Sequence, residues 1–196
     1  MKSVLSRGRP IAREWNYHSH RFVVLVVSRA GQNSSWINIS VLIGAGSFLF
    51  ALFLSAVFDP RIRLLHALQA LIYIVVILLT RKTSSWGFGA GCIIALFWNY
   101  VNLFVTTFFK AGLQQLSILL QTGQLHRPDL LIAVVAVAGH FLLIIACLVG
   151  FIRTGPGGRS WSRFLGGGAL AVGYFIAIVI TTGRQYIGLL KRVFHL

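Results

Sequence analysis

Acidic side chains are nearly missing from these 196 residues: Glu14, Asp59 and Asp129 are the whole complement, against 18 lysines and arginines. Charge of either sign is scarce, 11% of residues where a soluble domain carries about 25%. A soluble chain must cover its surface with polar groups, and this one is 57% hydrophobic with a mean hydropathy of +0.81. The shortage excludes a soluble globular protein and implies an integral membrane protein.

Cysteine is limited to Cys92 and Cys147, both inside apolar runs. No CxxC and no Cys/His ligand spacing exists, so zinc and dithiol redox chemistry have no motif. None of the four prolines interrupts an apolar run, so proline-broken helices of the transporter kind are not encoded. No carboxylate lies within a run, which leaves acid–base catalysis and ion-coupled transport without a group to work with. A GxSxG elbow is absent. The glycine-rich stretch RTGPGGRSWSR lacks the lysine–serine/threonine ending and the preceding strand of a phosphate loop, and reads as a connector. The sequence therefore implies no cofactor and argues against an enzyme.

What is present is five apolar runs long enough to cross a bilayer, which needs about 20 residues of helix. They give an all-α, polytopic helix bundle with spans over residues 37–58, 60–80, 86–109, 130–152 and 165–183. Asp59-Pro60 reads as an N-cap followed by proline at the first helical position, making a tight hairpin of the first two spans. Between spans three and four, Leu113, Leu116, Leu119 and Leu120 recur at helical spacing ahead of Thr122-Gly123. That pattern predicts a short interfacial helix. Residues 1–36 read as a basic interfacial arm, and 184–196 as a basic amphipathic end.

Aromatic residues sit inside the spans rather than among the arginines, which argues against nucleic acid. The basic connections instead suit anionic lipid head groups. Lysine and arginine are more frequent in the connections on the N-terminal side, which predicts a cytoplasmic N-terminus in an inner or plasma membrane.

Polar residues within the spans fall into stripes. Asn99, Asn102 and Thr106 continue a line from Cys92 and Ala95 on span three, and His140 lies on the matching line of span four. Because the two spans run antiparallel, the register pairs Asn99 with His140 and makes neighbours of Cys92 and Cys147. A second stripe, His66, Gln69 and Tyr73, reads as an interfacial anchor on span two. Small residues also recur every three or four positions: Ser40, Gly44, Ser47, Ala51 and Ser55; Gly87, Gly91 and Ala95; Ala169, Gly173, Ala177 and Thr181. Such faces let helix backbones approach closely in lipid.

These features favour a non-catalytic accessory, assembly or scaffold subunit, packing against other membrane subunits or its own copies. The alternative is a small-solute transporter or channel lined by Asn99, Asn102 and His140. A haem-binding subunit using His66 and His140 ranks below both, because the expected heights of the two histidines differ.

Overall fold

The computed structural model describes residues 14–125, 127–155, 157–182 and 187–194. The chain divides into two compact units, residues 1–36 and 37–196. Residues 1–13 of the expected arm, with Arg184 and His195 of the expected C-terminal end, lie outside the described residues. All described regular structure is helical: α1 (Glu14–Phe58), α2 (Arg63–Arg81), α3 (Ser85–Tyr100), α4 (Phe108–Thr122), α5 (Pro128–Arg153), α6 (Gly158–Thr182) and α7 (Ile187–Phe194). Five segments are long and apolar enough to span a membrane: Ser35–Phe58, Pro60–Arg81, Ser85–Val105, Pro128–Arg153 and Gly158–Thr182.

The first hairpin forms as its residues dictate. Asp59 is extended (φ −126°, ψ 99°) and its carboxylate accepts from the Arg61 backbone N–H at 3.0 Å. Pro60 then opens a 3-10 turn that leads directly into α2. Proline has no N–H to strand there, and its fixed φ suits a first helical position. At the other end of the bundle, Thr83 and Ser84 donate back to the carbonyls of Thr80 and Leu79 and close the turn into α3.

Two boundaries differ from the hydropathy reading. Span three ends at Val105, not at 109. Residues Val101–Val105 form a π-helical turn, closed by Thr106 N–H on the Val101 carbonyl at 2.9 Å, and Thr106 is extended. Phe108 and Phe109 belong instead to the short helix α4, which ends at Gly123 with φ +68°. An apolar run that passes from a span into an apolar-faced surface helix shows no break in hydropathy, because the bend lies in the backbone. Span five starts at Gly158, seven positions before the charge-free run. Arg159 and Arg163 are tolerated in its first turns because their long stems let exposed guanidinium groups reach water.

Small residues set the helix spacing in the core. A Cβ on Gly44 would stand 2.8 Å from the Gly139 carbonyl oxygen, and one on Gly139 would stand 3.0 Å from the Gly44 oxygen. Helices α1 and α5 therefore touch backbone to backbone, the contact that replaces hydrophobic driving force in lipid. The stripe on α3 is likewise consumed inside the bundle, where Gly87, Gly91 and Ala95 are buried. The α6 stripe is not: Ala169, Gly173, Ala177 and Thr181 are all exposed.

Candidate functional site

The polar stripe of α2 faces the core and is no interfacial anchor. Gln69 and Tyr73 are 1% and 0% exposed, and His66 is half-buried with Nδ1 3.1 Å from the Leu52 carbonyl. Tyr73 Oη meets His140 Nε2 at 2.9 Å in the middle of the bundle. Phe48 of α1 covers both rings, with centroids 4.5 Å from Tyr73 and 4.1 Å from His140.

The partner of His140 is thus a tyrosine of span two, not Asn99. Tyr73 carries its hydroxyl out on a ring, far enough to cross from α2, while an asparagine amide has a short reach. Both amide atoms of Asn99 are buried without a hydrogen-bond partner, as are His140 Nδ1, Gln69 Oε1 and Trp98 Nε1. Buried polar atoms in native structures are nearly always satisfied, so five in one region mark it out. Cys92 and Cys147 are buried free thiols. A Cβ on Gly91 would come within 2.7 Å of Cys147 Sγ, so that thiol fills the groove beside Cys92.

The five-residue stripe of span three divides at the π-helical turn. Cys92, Ala95 and Asn99 are sealed in the core, whereas Asn102 and Thr106 line a cavity of about 360 Å³. Trp98, one turn before Asn102, lies on the cavity face with it. The rest of the wall includes Ser55 and Phe48 on α1, His66 and Gln69 on α2, Ala133 and Ala136 on α5, and Phe175 on α6. Asp59 and Asp129 mark its outer end, so the cavity runs from the helix termini inward to Gln69. Nine residues of helix separate Gln69 from Pro60, a depth of about 13 Å.

Each carboxylate at that end has its own arginine. Asp59 accepts from Arg61 Nε at 3.0 Å, and these hydrogen bonds hold its carboxyl below the usual carboxylate range. Asp129 accepts from Arg127 Nε at 2.9 Å and Nη2 at 2.6 Å, which raises the arginine's pKa. Asp129 sits in the first turn of α5 after Pro128, where its charge also suits the helix dipole.

The two histidines do not suit one haem iron. His66 and Tyr73 are seven residues apart on α2, about 10 Å along its axis, and His140 lies at the level of Tyr73. Among the described residues no three His, Cys, Asp or Glu side chains gather as metal ligands. Sequence reasoning missed Trp98, Phe48 and Phe175 as cavity residues. A signal existed for the first, since an indole N–H inside a span needs a partner or a polar space.

No family model, curated protein or solved structure matches this chain.

Proposed function

We propose that this is a non-catalytic membrane protein that admits a small solute to the middle of the bilayer, in the manner of a carrier or channel. The observation that carries the reading is the cavity reaching Gln69, whose wall includes two residues, Gln69 and Trp98, with a buried polar atom that has no partner. Its volume falls in the range of small-molecule sites, about 300–1,000 Å³. The π-helical turn at Val101–Val105 adds support, because such turns recur at functional positions. With the N-terminus cytoplasmic, as the Arg/Lys distribution favours, the cavity opens on the outer face of an inner or plasma membrane.

The accessory or scaffold reading keeps one specific support, the exposed Ala169, Gly173, Ala177 and Thr181 face of α6. Such a face suits a second span, from another subunit or another copy.

Thermal unfolding in the presence of a panel of small solutes separates the two. The cavity reading expects at least one solute to stabilise the protein, and Asn102→Trp, which fills the space, to abolish that shift while the variant still folds. The subunit reading expects no shift and a stoichiometric membrane partner that Gly173→Leu releases.

A further inference from the structure

The charged side chains that line the cavity are both acids, each paired with an exposed arginine. The chain carries 18 lysines and arginines and three acids, yet among the described residues no lysine or arginine lines the cavity, while Asp59 and Asp129 do. The arginines paired with them stand out in solvent, with side chains 86% and 61% exposed against 33% and 32% for the carboxylates. The carboxylates, and not their arginines, line the cavity, so each ion pair turns its negative end toward it.

Deeper in, the unused hydrogen-bonding capacity includes two acceptors. Gln69 is 1% exposed and its Oε1 has no partner. His66 donates from Nδ1 to the Leu52 carbonyl, since a carbonyl can only accept. The neutral ring then carries a lone pair on Nε2. The wall also includes the aromatic rings of Phe48, Trp98 and Phe175, and aromatic rings attract organic cations.

We propose that the ligand of this cavity is a small organic cation, a protonated amine on an apolar body. Its N–H groups go to the Gln69 and His66 acceptors and its body lies against the three rings. The proposal rests on the cavity reading above and narrows it. An anion entering this space passes two carboxylates and, among the described residues, meets no lysine or arginine in the wall, and a neutral solute gains little from either acid.

The test uses the full chain in lipid nanodiscs, titrated calorimetrically with 2-phenylethylamine (protonated at neutral pH), 2-phenylethanol and phenylacetate. The three share an aromatic body and differ in charge. The ammonium form binds about tenfold more tightly than the alcohol, and phenylacetate more weakly still. Gln69→Leu lowers the amine affinity about tenfold through loss of one charge-assisted bond. Should that variant fail to fold, Asp59→Asn carries the test, with weaker amine binding and unchanged alcohol binding expected. Equal affinity for amine and alcohol overturns the cation proposal and leaves the cavity reading intact. Tightest binding of phenylacetate, or no binding by any of the three, also overturns it. The cavity reading is then judged separately, by thiol accessibility at residue 102.

Discussion

Tyr73 and His140 hold each other at 2.9 Å, from helices α2 and α5, with neither ring exposed. The bond ties two spans together at the level where lipid offers no substitute partner. Tyr73→Phe strands the imidazole and should cost about 1–3 kcal/mol. His140→Leu should cost a similar amount, and the double variant less than the sum of the two. Reversible unfolding in mixed micelles measures all three. Strict additivity would mean that the bond contributes nothing.

Asn99 behaves in the opposite way. Its amide is 4% exposed and neither atom has a partner. Asn99→Leu therefore removes a stranded polar group and should leave stability unchanged or raise it, by about 1 kcal/mol at most. It should also combine additively with His140→Leu. A loss above about 2 kcal/mol would reveal a partner for the amide.

The contact between α1 and α5 depends on two glycines. Gly44→Ala sets a methyl 2.8 Å from backbone atoms of Gly139 and Leu143, which cannot retreat as a flexible side chain would. Overpacking of this kind costs about 1–3 kcal/mol. Gly46 is the control, because a Cβ there meets nothing within 4 Å. Gly46→Ala should be neutral or slightly stabilising, since alanine favours helix. Thermal unfolding of the two variants side by side checks the contrast.

Asp59 carries a local pH dependence. Arg61 holds its carboxyl below the ordinary value, so the cap is favoured more in the folded than in the unfolded chain. A depressed acid contributes stability above its unfolded pKa and loses it as pH falls through the folded value. Hydrogen exchange at the Arg61 amide should therefore stay protected near neutrality and quicken in acid relative to Ile62 and Leu65. Asp59→Asn, which still caps, should keep the protection and lose the acid dependence. Unchanged exchange across the acid range would remove Asp59 from the cap.

The span pattern was legible because hydrophobic length answers directly to bilayer thickness, and the Asp59-Pro60 hairpin because cap and proline leave a local signature. The π-helical turn was not legible. It depends on one carbonyl, Val101, bonding to Thr106 rather than to Val105, and no residue type requires that choice. Two antiparallel helices taken alone set Asn99 opposite His140, and a third helix brings the longer side chain of Tyr73 to the same place. Trp98 was hidden for a related reason, since an aromatic inside an apolar run reads as hydrophobic filling until its neighbours are known.

The cavity is the central claim, and thiol accessibility tests it most directly. With Cys92 and Cys147 buried, an introduced cysteine reports on its own. Asn102→Cys should react with a membrane-impermeant methanethiosulfonate from the face that carries Asp59 and Asp129, and not from the other. Leu170→Cys, exposed on α6 toward lipid, should stay unreactive from both. Rapid one-sided labelling at 102 with silence at 170 is the expected result. Silence at 102 from both faces, in a folded protein, would contradict a solute-accessible cavity.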